Sequence, residues 1–210
     1  MSASSATGMI ELTPHALIGK GLHRECYAHP DDPSRCVKIV VAGNRNENRR
    51  EEAYYARLNS RGIAWDCLPM FYGLIPTNLG EGAVFDLVRD HDNRISLTLA
   101  HYLASQELTA RHGPALRRAL DELRAYLLEQ RVITMTLKAK NILFQQGPQQ
   151  TAKLVVVDNI GNSDFIPLAN YSRRLARWKI RRKWARFERS LAQDYADNPA
   201  ARELWRVEER

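Results

Sequence analysis

The first half of the chain sets short apolar runs between turn signals. Gly19 and Gly21 precede a strand predicted at Cys26-Tyr27-Ala28, HPDDPS over 29–34 predicts a turn, and RCVKIVV over 35–41 predicts a β-rich strand. The polar stretch 46–58 carries a narrow apolar stripe at Ala53, Tyr54 and Leu58 and predicts a helix. Two further strands are expected over 68–76 and 82–88. The period then lengthens. SLTLAHYLASQEL over 96–108 predicts a helix with Ser96 as N-cap, and Leu116, Leu120, Leu123 and Leu127 predict an amphipathic helix opened by Pro114. VIT (132–134) and NILF (141–144) flank a loop, QQGPQQT is a hairpin turn, and KLVVVD (153–158) is a buried strand ending in an aspartate.

This order predicts an α+β protein with a mostly β first half and a mostly α second half. A length of 210 residues suits one domain, or two lobes with a small second one. The domain reading is a disordered lead over 1–9, a β-rich lobe over 10–90, a small helical lobe over 91–190 and a tail over 191–210. No apolar run reaches the roughly 20 residues that span a bilayer. The N-terminus lacks a basic and an apolar signal region, Met9 is a candidate start, and a cytoplasmic location is expected. Three cysteines, Cys26, Cys36 and Cys67, with no CxxC pair, read as thiols in a reducing compartment.

Charge changes the picture in one place. Residues 172–189 carry nine Arg or Lys against one Glu, a local charge of +8 in a chain whose total is +7. Leu175, Trp178 and Arg182 fall on one helical face, and Ile180, Trp184 and Phe187 on another. Two readings stand side by side: a helix that buries its tryptophans beneath a solvated basic face, or weak contact of 173–189 with an anionic membrane surface. Nucleic acid is not the expected partner.

Candidate chemistry falls in a fixed order. Gly19 and Gly21 would let backbone amides approach phosphates. Lys38 lies inside the apolar run VKIV, a costly place for a cation unless an anion meets it. Glu51 or Glu52 follows in the next helix. Lys138 and Asn141 form K-x-x-N, and Asp158 comes seventeen residues after Asn141. Asn and Asp at two loop ends are hard oxygen donors suited to Mg²⁺, and Lys138 could neutralise a phosphoryl group. Taken singly, each has a plainer reading: an edge-strand lysine, an ordinary turn, a solvated glutamate.

As a set they resemble the protein-kinase-like fold, a two-lobed arrangement with a β-rich N-lobe and, here, a minimal α-helical C-lobe. More closely, CYAHPDDPSRCVKIV, VITMTLKAKNIL and VVDNIGNSDFIPLA resemble the YrbL family over roughly residues 10–190. That family is a group of small bacterial proteins named for membership of the PhoP regulatory network. The resemblance implies a kinase-like fold and a link to Mg²⁺ or envelope stress signalling. It implies ATP and Mg²⁺ as cofactors, with Gly19, Gly21, Lys38 and Glu51 at the nucleotide, Glu51 orienting Lys38, Asn141 and Asp158 at the metal, and Lys138, Asp158 and Thr136 at the catalytic positions.

The pattern also departs from a kinase. Laid on H-R-D-L-K-x-x-N, the chain puts Thr134 at the His place, Met135 at the Arg place and Thr136 at the place of the Asp base. Arg24 stands where a third glycine belongs, Asn159 and Ile160 intervene before Gly161, and about 50 residues follow Asp158. Asp164 is a nearby carboxylate that could substitute, or a loop cap. Two expectations follow, a phosphotransferase of atypical mechanism acting on an unidentified acceptor, or a pseudokinase acting as a regulatory binding module.

Overall fold

The computed structural model describes residues 9–42, 46–161 and 172–205, and the side chains of 46–48 are not among those described. The 1–8 part of the expected lead and Asp164 lie outside the described residues. The described residues form two compact units, one made from those up to Tyr55 with Met70–Leu87, the other from Ala56–Pro69 with those from Val88 onward.

The first unit is built on a five-stranded antiparallel sheet in the order β1 (Leu17–Lys20), β2 (Arg24–Ala28), β3 (Arg35–Val40), β5 (Gly80–Asp86), β4 (Phe71–Thr77). β1 was legible only as an apolar lead-in; it pairs Lys20 with Glu25 across β2. β4 and β5 start and end within a few residues of the expected runs. β3 is buried along its middle because both faces are covered. Val37 and Ile39 pack with Ile10, Leu12, Tyr27 and Val84. The opposite face places Phe85 against Phe71 and Tyr55, ring centres 5.2 and 5.3 Å away. Tyr55 lies on α1 (Asn46–Ser60), the helix between β3 and β4. Gly82, paired with Ile39, is a close-approach position: a Cβ there would sit 2.9 Å from Ile39 Cδ1 and against Val37.

The second unit holds α2 (Leu99–Ala104), α3 (Gln106–Glu129), the hairpin β6 (Ile142–Gln146) with β7 (Ala152–Val156), α4 (Arg173–Asp194) and α5 (Pro199–Trp205). Leu116, Leu120, Leu123 and Leu127 all face the core of this unit, as their spacing predicts. Three local expectations need correction. The N-cap of α2 is Thr98, whose hydroxyl accepts the His101 amide at 3.1 Å, while Ser96 donates to the Asp90 carboxylate at 2.6 Å. The apolar period over 96–108 is broken at Ser105, which caps α3 by accepting the Leu108 amide. Pro114 lies inside α3 rather than at its start. A proline there removes an amide and clashes with the preceding turn, so tertiary packing overrides its local preference. Within VIT, Thr134 makes a single isolated bridge to Ile160.

α4 continues past 190 to Asp194, and α5 follows it. Asn198 secures this end. Its amide nitrogen donates to the Leu103 carbonyl at 2.8 Å and to the Thr109 hydroxyl at 3.0 Å, and its Oδ1 accepts the Ala200 and Ala201 amides. Asn-Pro is the sequence signal for this helix start, an N-cap followed by proline at the first helical position. No helix among the described residues is long and apolar enough to cross a membrane.

Candidate functional site

The expected site residues fall in two groups, one in each unit. In the sheet unit, Gly19 lies in β1 opposite Cys26, and Gly21 lies in the turn before β2, its amide bonded to the Arg24 carbonyl at 2.7 Å. A Cβ added at Gly19 would meet nothing within 4 Å, whereas one at Gly21 would come 3.2 Å from the Arg24 carbonyl oxygen. Lys38 pairs with Cys26 on one side and Ala83 on the other, in the middle of β3. It is 9 % exposed, and its ammonium lies 4.2 Å from the centre of the Phe85 ring, where the negative face of the π system favours a cation.

Glu51 is 6 % exposed on α1. Its carboxylate, expected to orient Lys38, accepts the guanidinium of Arg24. Arg24, expected at the place of a third glycine, is thus the partner of Glu51. Sequence reasoning missed it because the two residues are 27 apart and nothing local pairs them.

Beside Lys38 lie two thiols. Cys36 sits two positions before Lys38, on the same side of β3, and Cys26 is directly across from Lys38. A hydrogen bond with Cys36 and the nearby Lys38 charge hold the Cys26 thiol below its ordinary range against the opposing effect of burial. The same hydrogen bond and burial push Cys36 well above it. The described cysteines are all free thiols.

The helical unit holds the second group. Lys138 precedes a single turn of 3-10 helix, Ala139–Asn141, that leads directly into β6. The turn is closed by the Asn141 amide donating to the Lys138 carbonyl at 2.9 Å. The β6–β7 ladder pairs Ile142 with Val156, and the Val157 amide extends it by donating to the Asn141 carbonyl at 3.0 Å. Asn141 and Asp158 therefore emerge at the same end of one hairpin, each half-buried.

A second set of backbone bonds brings in the Thr136 segment. The Met135 amide donates to the Asn159 carbonyl at 2.7 Å, and the Gly161 amide to the Ile133 carbonyl at 2.9 Å. Asn159 has φ 61°, a left-handed conformation that Asn tolerates, and Gly161 has φ 137°. The Asp-Asn-Ile-Gly string thus bends so that it can pair with 133–135, with Thr136 immediately after the pairing and Asp158 immediately before it. Thr136 and Lys138 are exposed, while Thr134 is buried. α4 also reaches this segment, the Lys183 ammonium donating to the Met135 carbonyl.

This pattern lies within a stretch of the chain that matches a known family model. Residues 10–192 match the model described as PhoP regulatory network protein YrbL. The chain belongs to the YrbL family. It is 41 % identical over 182 residues to a protein of Escherichia coli (strain K12) described as uncharacterized protein YrbL, covering 85 % of this chain and 86 % of that one. A protein of Shigella flexneri with the same description matches to the same extent. All the site positions named here, from Gly19 to Asp158, lie inside the part of the chain that matches the YrbL model.

The donor set can be tested against Mg²⁺. A Mg²⁺ ion takes one or two protein oxygens, keeps several waters and fills its octahedron with substrate phosphates. Asn141 and Asp158, one amide oxygen and one carboxylate at one hairpin end, fit that demand. Among the described residues no cluster of three or more His, Cys, Asp or Glu could hold a metal by side chains alone. A metal carried on a phosphate ligand needs no such cluster.

Proposed function

We propose that the chain is a kinase-like protein that binds ATP with Mg²⁺ and transfers a phosphoryl group by an atypical mechanism. The observation that carries this reading is the hairpin that brings Asn141 and Asp158 to one end, with Lys138 at the turn leading into it. In support, the order of parts in the sheet unit follows that of a kinase-like N-lobe: a glycine-bearing first strand, a buried lysine on the third, then a helix with a buried glutamate. In this reading Lys38 holds the α- and β-phosphates, Asn141 and Asp158 hold the metal, and Lys138 offsets charge on the transferring group. Mg²⁺, when bound, supplies neutralisation of phosphate charge. The transition state of phosphoryl transfer is loose, so positioning and charge account for most of its acceleration.

One observation favours a second reading. Thr136, which cannot accept a proton at neutral pH, takes the place of the base, and the described 134–136 segment contains no carboxylate. A pseudokinase that holds nucleotide and acts as a binding module in a PhoP-type regulatory network fits that residue equally well.

Calorimetry of ATP·Mg²⁺ with the wild-type chain beside Asp158→Ala tests the shared core of both readings. Binding that weakens at least tenfold in the variant and vanishes on chelation is expected; equal affinity removes Asp158 from the site. Single-turnover incubation with labelled ATP then separates the two, since label transferred by wild type and lost in Asp158→Ala belongs to the first reading alone.

A further inference from the structure

α4 divides into two sides with opposite roles. Ile180, Trp184, Phe187 and Leu191 are buried, and the Trp184 and Phe187 rings meet edge to face at 5.5 Å. Of the two tryptophans in this helix, only Trp184 is covered. Trp178 is 57 % exposed and Leu175 is 44 % exposed. With 3.6 residues per turn, Arg174, Leu175, Trp178, Arg181, Arg182 and Arg189 share a sector of about 120° on the side away from the buried residues. All six are exposed, over a length of about 22 Å.

Three features show that this face is not merely a solvated surface. Its charge is barely opposed from within the helix: Glu188 is the one carboxylate between 172 and 189, and it is turned aside, accepting the Trp184 indole N–H at 2.6 Å and lying 3.9 Å from Arg124. Its charge is also locally unfavourable. Arg173 and Arg174 occupy the first turn, where the helix dipole disfavours cations, and no acidic residue is present there. An exposed helix optimised for stability alone would carry the reverse pattern. Finally, Trp178 lies between Arg174 and the Arg181–Arg182 pair along this face, with Leu175 at its edge and the Arg182 guanidinium 4.6 Å from the centre of the Trp178 ring.

We infer that this face of α4 docks on the surface of an anionic phospholipid bilayer. Guanidinium groups pair with lipid phosphates, and a tryptophan beside a leucine is suited to the headgroup boundary, where an amphipathic ring has one side apolar and the other wet. Charge and a small apolar wedge together supply the two signals that reversible membrane attachment requires. A nucleic-acid site would instead call for a groove along the backbone and several stacking planes, and Leu175 offers none. The apolar side of α4 stays packed in its own unit, so docking requires no unfolding of the helix.

Co-sedimentation of the full chain with vesicles of phosphatidylcholine, with and without phosphatidylglycerol, tests this. Binding only to vesicles containing phosphatidylglycerol, falling with added salt, is expected. Arg174→Gln, Arg181→Gln and Arg182→Gln combined should weaken it about a hundredfold, since each basic side chain near such a surface contributes roughly fivefold. Trp178→Ala, a single exposed change, should weaken binding and abolish the blue shift of tryptophan emission on adding vesicles. Wild-type binding that ignores phosphatidylglycerol, or that Trp178→Ala and the triple variant leave unchanged, overturns the proposal. So does wild type that binds single-stranded RNA through these arginines and no vesicles. Neither variant touches the residues assigned to ATP·Mg²⁺, so nucleotide binding should persist in both.

Discussion

Arg24 and Glu51 form an ion pair in the sheet unit, the first from β2 and the second from α1, with side chains 15 % and 6 % exposed. Such a pair stabilises little relative to apolar residues that fill the same space, yet losing one member strands a buried charge. Arg24→Ala should therefore cost about 3–5 kcal/mol in denaturant unfolding. Arg24→Met with Glu51→Leu should recover most of that loss. If Arg24→Ala leaves the midpoint where it was, the pair does not hold α1 to the sheet.

Two glycines of the same sheet, Gly82 on β5 and Gly19 on β1, should behave in opposite ways. Gly82→Ala drives a Cβ into Val37 and Ile39, both nearly inaccessible, and overpacking of this kind costs about 1–3 kcal/mol. Gly19→Ala meets no neighbour and should leave the melting temperature essentially unchanged. Calorimetry then makes Gly19 informative: a drop in ATP affinity without a change in melting temperature means that phosphates approach the backbone there. Unchanged affinity excludes such an approach.

Thr136 is exposed, so a carboxylate is accommodated without burying charge. Under the transferase reading, Thr136→Asp should raise the rate of phosphoryl transfer from labelled ATP by about 10²–10⁴-fold, the usual contribution of a positioned base. Equal rates in the two proteins would show that position 136 does not face the attacking group.

The pH dependence of stability should carry a small contribution from His112 on α3. Its ring meets Tyr102 and Phe144 edge to face, at 5.3 and 5.8 Å. Burial, with a lesser contribution from the Arg111 charge, lowers its pKa below the ordinary value of 6.5. The unfolded chain then binds the proton more readily than the folded one, so stability is full above about pH 6.5 and declines as pH falls below it. Melting temperatures measured on either side of that pH should show the decline in wild type and a smaller one in His112→Gln. Identical slopes would remove His112 as the cause.

Much of the fold was legible in the residues because local patterns report burial directly. The run VKIV is buried on both faces of β3, the leucines from 116 to 127 share the core side of α3, and QQGPQQT turns the β6–β7 hairpin. The errors came where two local signals competed. Pro114 and Ser96 are good helix starters, but Ser105 and Thr98 had the N-cap geometry, and only the packing of α2 and α3 chose between them. Asn198 looked like part of a tail because its partners, Leu103 and Thr109, are distant in sequence.

The sequence by itself determined the family, the α+β composition, the order of Lys38, Glu51, Lys138, Asn141 and Asp158, and the concentration of charge over 172–189. These are properties of local order and of side-chain chemistry, which a chain carries before it folds. Tertiary structure decided that Glu51 takes Arg24, that one hairpin end gathers Asn141 and Asp158, and that Trp184 is covered while Trp178 stands exposed among arginines. Each of those depends on which distant segments share a surface, and hydrophobic burial, being non-directional, settles that only for the chain as a whole.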